Sequence, residues 1–211
     1  EKKMSEWIRK INWKYVVVML IGNVILGLGI AIFKLSGLGN DPFSGMAKKQ
    51  YALVTCWING KEVEQMVDVS TSLTDMLRND FRLTSVKKGC EVGECGACTA
   101  LIDGEAINTC LYLAVWAEGK HIITLEGLMN PDGTLSDVQK AFMDETSIQC
   151  GFCIPGFILT ATEIVNSGKE YTDDELRKLL SGHLCRCTGY ENILRAVKKT
   201  MYRRLGLPLP E

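Results

Sequence analysis

The sequence lacks several features that would assign it to common functional classes. Its 24 Lys and Arg residues almost balance 25 Asp and Glu residues, so no basic excess indicates a nucleic-acid-binding protein. Only two histidines are present, which leaves little room for histidine-based metal sites. No G-x-G-x-x-G run follows a predicted strand, so no dinucleotide-binding fingerprint is evident. Cysteine, in contrast, is abundant: the nine residues are too many to ignore, and an odd number cannot pair fully as disulfides.

Charge and cysteine are unevenly distributed along the chain. Residues 1–50 hold eight Lys and Arg against three Asp and Glu and contain no cysteine. Residues 51–211 hold sixteen against twenty-two and contain all nine cysteines. The change in composition predicts a leader over residues 1–48 and a separate cysteine-bearing part that begins at residue 51.

The leader contains a long apolar run from Tyr15 to Phe33 with one polar side chain, Asn23. As a helix this run would span roughly 28 Å, close to the hydrocarbon core of a bilayer. It is therefore a candidate transmembrane helix at residues 15–33, with a buried core helix or a signal peptide as alternatives. The basic residues before it favour a cytoplasmic N-terminus.

The cysteine-bearing part changes character near residue 130. Before it, Asn59-Gly60 and Asp103-Gly104 predict two hairpins, His121 to Leu125 predicts another strand, and the apolar residues around Met76 have helical spacing. After it, three candidate capping boxes and Pro155 predict four short helices. The boxes begin at Ser136, Thr172 and Thr188. The fold class is α+β, with domains expected at residues 51–130 and 131–205.

The first cysteine set has the spacing typical of plant-type [2Fe–2S] ligands. It consists of Cys90, Cys95, Cys98 and Cys110. Glycines interleave with the first three, which lets a tight loop adopt positive φ angles and brings backbone N–H groups close to sulfur. A structural zinc site is the alternative, but the glycine-rich loop favours iron–sulfur.

The second set leaves its cofactor open between zinc and another cluster. It consists of Cys150, Cys153, Cys185 and Cys187. Because residues two apart on a helix point away from each other, Cys185 and Cys187 require a loop. Cys150 and Cys153 precede Pro155 at a predicted helix N-terminus, where the helix dipole should favour thiolate over thiol.

The remaining candidates are interpreted as ordinary structural residues. Cys56 lies in a predicted strand and is expected to be a small buried hydrophobic residue rather than a ligand. His121 and His183 lack the spacing of histidine cluster ligands, and we expect both to be surface or core residues.

Three motifs together resemble the iron–sulfur subunit of molybdenum hydroxylases, the xanthine dehydrogenase family. They are CEVGECGACT at residues 90–99, QCGFCIPG at 149–156 and SGHLCRCTGY at 181–190. Residues 110–127 look most like the small subunit of bacterial three-subunit xanthine dehydrogenases. The resemblance runs from about Met46 to Arg204. One departure is His183, where the family usually has Asn.

The resemblance implies a β-grasp ferredoxin domain followed by an all-α four-helix domain, each with one [2Fe–2S] cluster. It implies a molybdopterin-binding large subunit, with Gln149 and Gly151 near the pterin, and an FAD-binding medium subunit that passes electrons to NAD. The chain itself would relay electrons, and xanthine is the expected substrate of the complex. An aldehyde, carbon monoxide or a heteroaromatic compound is the alternative substrate, and a zinc-stapled structural module is the alternative of another class.

The leader fits this interpretation poorly, because the family resembled is soluble and cytoplasmic. Residues 1–45 instead resemble the start of an unrelated multi-span bacterial membrane protein family. We therefore expect a cytoplasmic subunit whose natural start is Met46, with membrane contact only through residues 15–33 if that helix is genuine.

Overall fold

The computed structural model describes residues 50–209. The leader at residues 1–48 and its candidate helix at residues 15–33 lie outside the described residues. Within residues 50–209, no helix is both long and apolar enough to cross a bilayer.

The first hairpin forms as its turn residues predict. β1 (Tyr51–Ile58) and β2 (Lys61–Asp68) pair antiparallel, and Ile58 lies opposite Lys61. Asn59 and Gly60 both have positive φ, 51° and 79°. A type I′ turn requires this at both central residues, and Asn-Gly adopts it readily.

A five-stranded mixed sheet completes the first half. β3 (Thr99–Ile102) and β4 (Glu105–Asn108) form the second predicted hairpin, and β5 (His121–Ile123) is the further strand. The strand order is β2-β1-β5-β3-β4, with β5 parallel to β1 and all other pairs antiparallel. A short helix, α1 (Leu73–Asp75), continues as a π-helical turn over Met76–Asp80. Its apolar residues are fully buried in the core of the sheet.

Four helices follow the sheet, as the sequence predicts. They are α2 (Asp137–Asp144), α3 (Ile154–Asn166), α4 (Asp173–Leu179) and α5 (Glu191–Leu205). Reciprocal capping boxes at Ser136 and Thr172 open α2 and α4. Arg204 of α5 forms a bidentate pair with Asp137, at 2.6 and 2.7 Å, in the first turn of α2.

The third predicted capping box is wrong. Tyr190, with φ 71°, precedes α5, and no side chain caps that helix. The Thr188 hydroxyl is occupied elsewhere: it contacts Cys185 Sγ at 3.1 Å and accepts from the Tyr190 N–H at 3.2 Å. Pro155 is also displaced by one position, because α3 begins at Ile154.

Helix α3 joins the two halves of residues 50–209. Eleven of its thirteen residues are buried, as expected of a helix that is apolar around most of its circumference. It packs against α2 and α5 on one side and against β3 and β4 on the other. Its N-terminus, which begins just after Cys153, is thereby held beside the loop that precedes β3.

Candidate metal centres

The loop before β3 is shaped by residues in the left-handed region. Glu91, Gly93 and Gly96 have φ of 58°, 80° and 67°. This curvature points backbone donors at sulfur: the N–H groups of Glu94 and Val92 donate to Cys90 Sγ at 3.3 and 3.5 Å. The loop therefore supplies the N–H contacts expected from the sequence, although non-glycine residues donate them.

The fourth thiol of this set is positioned by the second hairpin. Cys110 lies in a 3₁₀ turn that directly follows β4. The Asn108 amide donates to the Gly93 carbonyl at 2.8 Å, and the Thr109 hydroxyl donates to the Cys98 carbonyl at 2.6 Å. These bonds fix the end of β4 against the loop, so Cys110 comes next to Cys98.

Within this set the thiols lie in two adjacent pairs. Cys90 interacts with Cys95, and Cys98 interacts with Cys110. Backbone donation, first from Val92, lowers the pKa of Cys90 to about 7, with a further contribution from Cys95. Burial, followed by the neighbouring Cys98, raises the pKa of Cys110 to about 11.

The second set is assembled from two chain segments at helix ends. Gly151, with φ 83°, turns the chain between Cys150 and Cys153, which immediately precedes α3. Cys185 and Cys187 lie in the non-helical segment between α4 and α5, as the sequence requires. Two pairs result here as well, Cys153 with Cys185 and Cys150 with Cys187.

Burial and hydrogen bonding distinguish the thiols of the second set. Burial, followed by Cys185, raises the pKa of Cys153 to about 12, which is opposite to the thiolate preference expected of Cys153 at the start of α3. Burial also raises the pKa of Cys185, but hydrogen bonds from the Thr188 hydroxyl and N–H bring it below the usual value. The adjacent Cys150 side chain raises the pKa of Cys187.

Thr188 is a site residue that sequence reasoning missed. Its N–H donates to Cys185 Sγ at 3.4 Å, in addition to the hydroxyl contact. Its position next to Cys187 was the available signal, but the local pattern indicated a helix cap.

The second site has an inner and an outer side. Cys153 is buried and Cys185 is half-buried, whereas Cys150 and Cys187 are exposed. Gln149 is also exposed and Gly151 is half-buried on the same outer segment. The outer side is therefore accessible to another molecule.

A backbone hydrogen bond links the two cysteine loops. The Leu184 N–H donates to the Cys95 carbonyl at 3.1 Å. Because Leu184 directly precedes Cys185, this bond connects Cys95 of the first loop to the neighbour of Cys185 in the second.

The remaining cysteine and the histidines agree with their structural interpretation. Cys56 is fully buried in β1, and burial, followed by Glu118, raises its pKa to about 11. His121 is exposed and stacks on Trp57 at 4.8 Å. His183 is buried, and Thr160 contacts its Nε2 at 2.7 Å.

The donor chemistry fits a two-iron cluster at both sites. All nine thiols are free. Within residues 50–209, no three His, Cys, Asp or Glu side chains are arranged around one metal ion; the thiols instead lie as pairs, and each iron of a [2Fe–2S] cluster takes two cysteines. Glycine at position 89 also leaves space for the first site, because a Cβ there would lie 2.8 Å from Cys95 Sγ.

Comparisons with known proteins agree with this donor set. A family model described as a 2Fe-2S iron-sulfur cluster binding domain matches residues 57–121, and one described as a [2Fe-2S] binding domain matches residues 124–198. The nicotine 6-hydroxylase small subunit of Paenarthrobacter nicotinovorans is 48% identical over 140 residues, which cover 66% of this chain and 84% of that protein.

Two further relatives point to the same family. The xanthine dehydrogenase iron-sulfur-binding subunit of Escherichia coli O157:H7 is 49% identical over 146 residues, covering 68% of this chain and 91% of that protein. The structure of quinoline 2-oxidoreductase from Pseudomonas putida 86 matches with a TM-score of 0.70 and 41% identity, covering 74% of this chain and 97% of that one. The chain therefore belongs to the family of iron–sulfur small subunits of molybdenum hydroxylases and has two [2Fe–2S]-binding domains.

Proposed function

We propose that the chain relays single electrons through two clusters whose ligands are the two cysteine sets. The first cluster is held by Cys90, Cys95, Cys98 and Cys110, and the second by Cys150, Cys153, Cys185 and Cys187. The observation that carries this assignment is the arrangement of each set as two adjacent thiol pairs. One pair would bind each iron.

The surrounding residues hold the thiols and adjust the charge at the sites. A [2Fe–2S] cluster supplies one-electron redox chemistry when bound. The N–H groups on Cys90 Sγ and the Thr188 donors on Cys185 Sγ stabilise negative charge on sulfur. The buried Cys98 and Cys153 keep water from the inner side of each site.

The two sites correspond to the two domains expected from the sequence. Residues 51–130 would form a β-grasp ferredoxin domain, and residues 131–205 a four-helix domain. The mixed sheet with its short helix and the helices α2 to α5 support this division.

The outer side of the second site is the proposed docking face for the molybdopterin-binding large subunit. Gln149 and Gly151 would then lie near the pterin. Electrons would pass from the second cluster to the first, and from there to FAD in a medium subunit and to NAD. Assembly of such a complex would take place in the cytoplasm.

Xanthine is the proposed substrate of the complex. The relatives named for xanthine, nicotine and caffeine are 49%, 48% and 46% identical to this chain. Because all three compounds are nitrogen heterocycles, this substrate class has the most support. An aldehyde, carbon monoxide or another heteroaromatic compound is the alternative.

Iron analysis of the purified full chain tests the ligand assignment. We expect about four iron atoms per chain and visible absorbance that dithionite bleaches. Cys98→Ala should lower iron to about two atoms, whereas Cys56→Ala, an equally buried control, should leave it unchanged. A colourless protein that contains zinc would reject the proposal, as would loss of iron in the Cys56 variant alone.

Copurification with the large subunit tests the partners and the substrate. The isolated chain should not oxidise hypoxanthine, because it lacks the molybdopterin. The complex should reduce NAD with xanthine faster than with nicotine or benzaldehyde. The reverse preference would refute xanthine without affecting the relay.

A further inference from the structure

His183 lies between the two cysteine loops. It is 5% exposed, and its ring packs on Phe157 of α3 with centroids 4.7 Å apart. Its Nε2 is 2.7 Å from the Thr160 hydroxyl, also on α3. One edge of the ring is therefore fixed to the helix that begins beside Cys153.

The opposite edge of the ring faces the first loop. A Cβ on Gly96 would lie 2.1 Å from His183 Nδ1 and 2.6 Å from the Gly182 carbonyl. A Cβ on Gly156 would lie 2.2 Å from the Gly96 carbonyl. The backbones of Gly96, Gly156 and Gly182 thus approach one another as closely as glycine allows, and the imidazole packs beside them. Nδ1 itself is buried, and the Gly96 backbone is the group that it faces.

The contact between the His183 ring and Gly96 lies next to the backbone hydrogen bond that links the two loops. Leu184 follows His183 and donates its N–H to the carbonyl of Cys95, which precedes Gly96. Any shift of Gly96 relative to His183 therefore shifts this bond as well. Because protein interiors are close-packed, removal of the ring leaves a cavity into which the surroundings relax only partly.

We propose that His183 is a positioning residue that sets the separation of the two clusters by packing its ring between Gly96 and Thr160 of α3. The inference rests on the proposed function, because it assigns the clusters to these two loops. A ring at this position holds Cys95 and Cys185 at a fixed distance, and a smaller side chain lets the loops move relative to each other.

Electron paramagnetic resonance of the reduced full chain with both clusters bound tests this role. In His183→Ala we expect two clusters and a larger magnetic splitting between them, because the loops relax partly into the cavity. We also expect at least a threefold change in one reduction equilibrium, which equals about 30 mV for one electron. His121→Ala, the matched histidine control on the surface, should change neither quantity.

The outcomes separate this inference from the proposed function. A wild-type chain that binds no pair of clusters refutes the proposed function. A His183→Ala chain with four iron atoms, wild-type splitting and wild-type potentials refutes the positioning role alone. If His183→Ala loses iron, His183→Gln decides, because its amide can still reach Thr160 but lacks the ring face. We expect an intermediate splitting, and an unchanged one would overturn the inference.

Discussion

The hydroxyl of Thr188 offers the most direct test of how this chain adjusts its second site. It lies 3.1 Å from Cys185 Sγ and accepts from the Tyr190 N–H, which leaves its proton free to point at sulfur. Thr188→Val removes that proton with little change in volume. The Thr188 N–H, at 3.4 Å from the sulfur, is retained.

The expected effect on the second reduction potential follows from the strength of the lost bond. A hydrogen bond to a charged group contributes about 1.5–3 kcal/mol. The hydrogen bond is present in both oxidation states of the cluster, so only the difference between them changes the potential. We take the bond to be about 1 kcal/mol stronger in the reduced state. Since 59 mV corresponds to a tenfold change for one electron, and tenfold to about 1.4 kcal/mol, the potential should fall by about 40 mV.

A redox titration followed by electron paramagnetic resonance measures this shift. The first cluster, in the same molecule, is the internal reference and should not move. Thr200→Val is the control for the same substitution at a threonine away from sulfur, because the Thr200 hydroxyl donates to the Ala196 carbonyl within α5. A second cluster whose potential stays within about 10 mV of wild type, with full iron content, would refute the assigned role of the hydroxyl.

Three further substitutions test the loops and the helix contacts. Gly96→Ala should lower the free energy of unfolding by about 2 kcal/mol or more, because the positive φ and the overlap with His183 and Gly182 both oppose a Cβ. Gly104→Ala, where a Cβ would meet nothing within 4 Å, should lower it by less. Equal melting temperatures of the two variants would contradict the packing argument. Tyr190→Phe removes the acceptor of the Cys185 N–H at 2.9 Å, so a chelator should extract iron from the second site faster than from wild type, and equal rates would contradict this. Arg204 lowers the pKa of Asp137, so the ion pair contributes its full stabilisation above the unfolded pKa near 4 and loses it as pH falls through the folded pKa. Asp137→Asn should therefore lower the free energy of unfolding by about 1 kcal/mol in urea titrations at pH 7, and by progressively less below pH 4. A difference that stays constant with pH would refute this.

Features fixed by local chain geometry were predictable from the sequence. Asn59-Gly60 specifies its own turn, because few other residues accept positive φ at two successive positions. Cys185 and Cys187 had to leave the helix, because their spacing places them on opposite faces. These conclusions need only the residues themselves and their neighbours in the chain.

Features that depend on distant segments were not predictable. One local contact was also missed: Thr188 and Glu191 have the capping-box pattern, but Cys185 lies only three residues before Thr188, and its Sγ contacts the hydroxyl instead. The start of α3 was expected to favour thiolate, yet the depth at which Cys153 is packed cannot be read from its own segment. The position of His183 likewise depends on Gly96, which belongs to the other half.

The distribution of exposure gives the proposed relay a direction. In the second site, the exposed pair of Cys150 and Cys187 faces outward, while the pair of Cys153 and Cys185 lies toward the interior. Only the inner pair is adjacent to the Leu184 link with the first loop. If a partner docks on the exposed face, the outer pair would lie nearest to it and the inner pair nearest to Cys95.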